Sequence, residues 1–171
     1  MANFIEAFQK VILNEGLYSN DPDDAGGRTI LGISENNWPK WAGWKIVDRL
    51  ASAKEMATNA ELQNLVQSFY LINFWNPILG DQITSQKIAN SIFDFGVNAG
   101  SNTSMELAQK TVGSYVDGKN GNNTLKALNS FDERLFVAEF ALNKIDHYCD
   151  IVDKKPTQLK YLKGWVRRAL K

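Results

Sequence analysis

Between Asn14 and Ser34 the chain gathers four carboxylates, Glu15, Asp21, Asp23 and Asp24, among four glycines and the hydroxyls of Tyr18, Ser19, Thr29 and Ser34. Glu15 follows an apolar stretch ending in Val11 and Ile12, whereas the three aspartates sit in a run of turn formers. A carboxyl against apolar neighbours is biased toward its protonated form, and one in a hydrated turn stays ionised. Cleavage of a glycosidic bond needs that division: one acid protonates the leaving oxygen, and a second group activates water or steadies an oxocarbenium-like centre. Composition alone is equally met by a solvated turn. A calcium loop counted from Asp21 fails, because Ala25 takes the fifth position and Gly32 the twelfth, where a bidentate glutamate is needed. Neither phosphate-loop nor dinucleotide glycine spacing occurs.

The elements that must hold these groups are mostly helical. Phe4, Ile5, Phe8, Val11 and Ile12 form one stripe, and Asn3 with Glu6 fits a capping box, so a first helix is expected to run toward Glu15 and stop near Gly16. Residues 17–20 and 28–34 have strand composition on either side of the turn formers, which predicts one small β-hairpin with a long loop. Trp38, Trp41 and Trp44 follow in an irregular loop and are expected to plug it onto the core. Helices are then expected over 46–57, from the box Thr58-Asn59-Ala60-Glu61 through Phe69 and Tyr70, and over 85–98 closed by Gly100. Further ones should start at Thr103 with Glu106, cover 124–129, and run from Ser130 with Glu133 to Val152. After Pro156 a last helix should turn Tyr161, Leu162, Trp165, Val166 and Ala169 inward, with Lys160, Lys163, Arg167, Arg168 and Lys171 outside. The expected fold class is therefore mainly α, with residues 1–85 carrying the hairpin and 86–171 all helical, packed as one compact unit.

Composition narrows the function classes. Lys plus Arg and Asp plus Glu are equal at 19 each, so no nucleic-acid partner is expected. The charge is uneven along the chain: residues 1–85 hold six basic and ten acidic side chains, and 86–171 hold thirteen and nine. Cys149 and His147 are single, which leaves no internal disulfide and no Cys/His zinc set. Cys149 is expected as a small buried hydrophobe, and no serine lies in a G-x-S-x-G elbow. No metal and no cofactor are expected. The absence of a basic start followed by an apolar run, and of 18 consecutive apolar residues, predicts neither an ordinary signal peptide nor stable membrane insertion.

Glu15-Gly16-x-Tyr18, followed by Asp24-x-Gly26-Gly27-x-Thr29-x-x-Gly32-Ile33-Ser34, resembles the signature of glycoside hydrolase family 108, lysozyme-like muramidases of bacteria and phages. The later stretches "FWNPILGDQI", "IFDFGVNAG", "VDGKNGNNTLKAL" and "YLKGWVRRAL" resemble the family's central block and its predicted peptidoglycan-binding region in the same order. The resemblance implies a lysozyme-like helical fold with Glu15 as the catalytic acid and the hairpin as one wall of a glycan cleft. It implies further that Asp24 and Thr29 orient water or support developing charge, and that Tyr18, Phe93 and Asn98 contact substrate. Which of Asp21, Asp23 and Asp24 partners the acid stays open on spacing. Leu17 stands where the family commonly has a second glycine.

The implied reaction is hydrolysis of the β-1,4 bond between N-acetylmuramic acid and N-acetylglucosamine, with peptidoglycan strands as partner and a monomer expected. A lytic transglycosylase using the same acid, and a wall-binding or secretion-assisting protein without turnover, are the alternatives. Synthesis in the cytoplasm and release to the wall through a separate membrane-permeabilising protein, as for a phage or prophage endolysin, would fit the missing signal.

Overall fold

The computed structural model describes residues 1–13, 15–20 and 26–170. The chain is mainly α-helical with one small antiparallel sheet, and it divides into two compact units, Phe4–Trp75 and Met1–Asn3 with Asn76–Lys171. The first unit ends at Trp75, ahead of the division near residue 85 that the sequence suggests.

In the unit Phe4–Trp75, α1 (Phe4–Ile12) buries Phe4, Ala7 and Val11 and ends before Glu15. Asn3 N donates to Gln86 Oε1 at 2.6 Å, and Glu6 is a residue of the first turn of α1. It reaches forward to Lys10 Nζ at 2.7 Å. The sheet holds β1 (Tyr18–Ser19), β2 (Thr29–Ile30) and β3 (Ile33–Ser34) in the order β1-β2-β3. The stretch expected as one strand is thus two, reversed at Leu31-Gly32, whose φ values of +47° and +79° are those of a two-residue hairpin turn. Register pairs Tyr18 with Ile30 and Ser19 with Thr29, then Thr29 with Ser34 and Ile30 with Ile33. Ile30 and Ile33 are fully buried, so that face of the sheet is the core face.

Helices α2 (Trp44–Val47), α3 (Ala53–Thr58) and α4 (Ala60–Tyr70) follow, and α4 continues into a π-helical turn, Leu71–Trp75. The single helix expected over 46–57 is broken because Ser52 starts a new one: its Oγ accepts from Glu55 N at 3.3 Å, while Glu55 Oε2 accepts from Ala51 N. Asn59, not Thr58, caps α4 by accepting from Leu62 N at 2.9 Å. Trp44 plugs the loop as expected, and Trp41 is half-buried, whereas Trp38 keeps 38% of its surface exposed. Trp44 is buried and donates to Trp38 O at 2.8 Å, and Trp38 sets its ring edge-on to Phe69 at 4.8 Å.

Arg28 closes the open end of the β2–β3 hairpin. Its guanidinium forks onto both Glu35 oxygens at 2.7 and 2.6 Å and reaches Asp48 at 2.7 Å, while Glu35 N donates to Arg28 O at 2.8 Å. It also lies 5.4 Å from the Trp44 ring centroid, so one side chain ties the sheet to α2.

The second unit contains α5 (Gln86–Ala99), α6 (Ser101–Val112), α7 (Asn122–Ser130), α8 (Glu133–Lys154) and α9 (Leu159–Ala169). Ser85 caps α5 and Gly100, at φ +89°, ends it, both as expected. Helix α6 begins at Ser101, so Thr103 lies inside it. Asp132 caps α8, and Ser130 Oγ instead donates back to Lys126 O. Phe95 meets Phe140 edge-on at 5.9 Å, and Tyr148 stacks on Trp165 at 5.2 Å, joining α5 to α8 and α8 to α9. Two expectations, for Cys149 and Tyr161, are corrected. Cys149 is exposed, because the α8 stripe that carries Phe136, Phe140 and Tyr148 inward passes beside it. Tyr161 is also exposed, and Arg168 faces Asp94 at 3.8 Å. Among the described residues no helix is long and apolar enough to cross a membrane.

The Arg28 fork holds the Glu35 carboxyl below its ordinary value of 4.5, so its contribution is complete above that value and is lost as pH falls through the lowered one. Arg28→Ala is expected to cost about 1 kcal/mol at neutral pH. In urea melts the gap between wild type and variant should narrow as the pH is taken below 4.5.

Candidate active site

Glu15 leaves the end of α1 in a tight turn, with Leu13 N donating to Gln9 O and Glu15 N to Ile12 O at 3.1 Å. After Gly16 the chain is fastened to the hairpin, where Leu31 N donates to Leu17 O at 2.9 Å. The half-buried Glu15 carboxyl folds onto the Leu31-Gly32 turn: a Cβ placed on Gly32 would stand 2.9 Å from Oε2 and 3.0 Å from Cδ. The same Cβ would overlap the Tyr70 hydroxyl. That hydroxyl is buried and donates to Leu31 O at 2.8 Å. Its ring meets Phe8 of α1 edge-on at 5.6 Å, so α1, α4 and the hairpin converge on this turn.

The other described acids of this unit have different work. Glu6 pairs with Lys10, Glu35 and Asp48 with Arg28, and Glu55 caps α3, while Glu61 is exposed on α4. Glu15 is the acid seated on the hairpin backbone. A half-buried acid held against backbone, near a tyrosine hydroxyl, is placed to hand a proton to a ligand lying along the turn.

The structure brings Glu15, Thr29 and Tyr18 into one small region, but not onto one face. Thr29 is half-buried on β2, with Oγ1 donating to Gly27 O at 3.3 Å, and the register sets it beside Ser19 and Ser34. Tyr18 pairs with Ile30 and so takes the opposite face. Ser34 Oγ, on the Thr29 face, is buried with no hydrogen-bond partner among the described residues. Asp24 lies outside the described residues, as do Asp21 and Asp23.

Phe93 and Asn98 belong to α5 in the other unit. Asn98 is exposed, and its amide donates to Asp94 O at 2.8 Å. Phe93 has no exposed surface and falls on the apolar face of α5 with Ala89, Ile92 and Gly96. Tyr70 and Gly32 were not singled out by their chemistry. Tyr70 looks like one more apolar position of α4, and its only sequence signal is that a buried tyrosine needs a partner for its hydroxyl.

The fold, helical with one small sheet, is also found in a solved protein. The chain is similar to the structure of Brucella abortus SagA at TM-score 0.70 and 24% identity, over 97% of this chain and 88% of that one. No curated protein sequence matches. Residues 8–100 match the family model for glycosyl hydrolase 108, and residues 103–170 match the model for a predicted peptidoglycan domain. The chain belongs to the glycosyl hydrolase 108 family, and at that level it is a glycoside hydrolase directed at peptidoglycan.

Gly32→Ala should disturb both the acid and the tyrosine, since φ is +79° and the added methyl has no room. A loss of more than about 1 kcal/mol is expected in thermal melts. Tyr70→Phe leaves the buried Leu31 carbonyl without its donor and should cost about 1–3 kcal/mol, read from urea midpoints.

Proposed function

We propose that the protein is an N-acetylmuramidase that hydrolyses the β-1,4 bond between N-acetylmuramic acid and N-acetylglucosamine in peptidoglycan. Glu15 acts as the general acid. Its proton goes to the bridging oxygen, the bond from that oxygen to the muramic anomeric carbon breaks, and water completes the product at that carbon. Asp24, at the head of the Asp-x-Gly-Gly segment, supports the positive charge at the anomeric carbon or draws the proton from water. Thr29, on the same face of the hairpin as the buried Ser34 hydroxyl, orients that water. Tyr18 and Asn98 offer polar contacts to the sugars.

The observation that carries the reading is the seat of Glu15. Its carboxyl rests on a turn that has no side chain at Gly32, and the residue is only half-buried, which leaves the acid within reach of a ligand.

The test is clearance of purified sacculi followed by turbidity. Glu15→Gln keeps the shape and removes the transferable proton, and the rate should fall by about 10²–10⁴. Equal rates for the two proteins overturn the assignment. Mass spectrometry of the products separates the chemistries: reducing muramic ends mark hydrolysis, and anhydro-muramic ends mark transglycosylation.

A further inference from the structure

Helix α9 has two unlike sides. On one, Trp165 stacks on Tyr148 of α8 at 5.2 Å, Ala169 is buried, and the partly covered Leu162 and Val166 share that side. The other is basic. From Lys154 to Lys171, seven of eighteen residues are Lys or Arg and none is Asp or Glu.

A helix turns about 100° per residue, so Leu159, Lys160, Lys163, Arg167 and Leu170 fall within one arc of about 100°. All five are exposed, Leu159 at 61% and Leu170 at 64%. Among the described residues Lys163 and Arg167 form no salt bridge and no side-chain hydrogen bond, and Lys160 Nζ lies over the Tyr161 ring, 4.9 Å from its centroid. The helix itself gains nothing from two of these charges. Lys160 and Lys163 stand in its first half, where the helix dipole disfavours cations, its first turn has no acid, and Gln158 supplies no side-chain cap. Arg167, in the last turn, is the one the dipole favours.

The face is thus three cations bracketed by two leucines about 16 Å apart along the axis. A soluble polyanion would call for the cations alone. A bilayer with anionic headgroups calls for both, its phosphates for the cations and its acyl boundary for the leucines. With its other side packed on α8, α9 would lie along such a surface and not cross it.

We propose that the outer face of α9 docks on anionic lipid headgroups, with Lys160, Lys163 and Arg167 on the phosphates and Leu159 and Leu170 entering the headgroup layer. Lys154 and Lys155, exposed at the end of α8 and just after it, extend the same positive field. Neither Glu15 nor the muramidase reading enters this surface.

The test is cosedimentation of the full chain with vesicles of mixed phosphatidylglycerol and phosphatidylcholine, against phosphatidylcholine alone. Binding to the anionic vesicles and not to the neutral ones is expected, most of it lost at about 1 M salt, where the Debye length is about 3 Å. Lys163→Gln with Arg167→Gln should weaken it about tenfold or more. Leu159→Ser with Leu170→Ser leaves every charge in place and should weaken it about fivefold. All four side chains are exposed, so both pairs should melt as wild type does. The proposal is overturned if wild type ignores anionic vesicles, if it binds neutral ones equally, or if the leucine pair binds like wild type, which would make the face a site for polyanions of any kind. Sacculus clearance by the Glu15 pair reads the other unit, so the two proposals fail separately.

Discussion

The first unit depends on a backbone turn of uncommon sign. Leu31 holds φ at +47°, a conformation non-glycine residues seldom take, at a cost on the order of 1 kcal/mol or more. It is retained because its neighbours leave no other choice. Its side chain is buried, its N–H is given to Leu17 O, and its carbonyl receives the Tyr70 hydroxyl. With Leu31 set, Gly32 follows at φ +79° and presents bare backbone to the Glu15 carboxyl. The acid is thus placed by backbone conformation and by a tyrosine whose own proton is used elsewhere.

Each unit also uses one polar side chain to do what apolar packing cannot do for a loop. In Phe4–Trp75 it is Arg28, whose fork onto Glu35 joins the two ends of the hairpin and whose third contact reaches Asp48 after α2. In the other unit it is Gln109, whose amide spans Asp117, Gly118, Lys119 and Thr124 from beneath. Such hubs are stabilising only when their hydrogen-bonding capacity is filled, since a buried amide with an open valence would cost what the loop gains. Here both ends of the Gln109 amide are used.

Helices were legible because apolar spacing survives any choice of cap. Phe4 and Val11 in the first helix and Ala169 in the last are buried at positions the stripes predict, while Ile5 stays exposed. Caps were less legible. Asn59 competes with Thr58, and Asp132 with Ser130, within a residue or two of each other, and the winner depends on where the preceding helix releases the chain. The third strand was missed because a turn with Leu in its first central position lacks the usual Asn-Gly or Asp-Gly signal. Cys149 went astray because neighbours along a helix differ in facing by about 100°, so apolar company in sequence says little about which member meets solvent.

Leu17 shows which departures from a family pattern matter. Among the described residues, positive φ outside glycine is confined to Leu31 and Leu79, so Leu17 adopts an ordinary backbone conformation in place of the glycine common to the family. The fold asks of that position only its carbonyl, which accepts from Leu31 N. Gly32 is the opposite case, because the fold uses the missing Cβ itself, both for φ and for the space that the Glu15 carboxyl and the Tyr70 hydroxyl occupy. Two glycines of one motif therefore carry unequal weight: one supplies a replaceable carbonyl, and the other the empty volume on which the acid is seated.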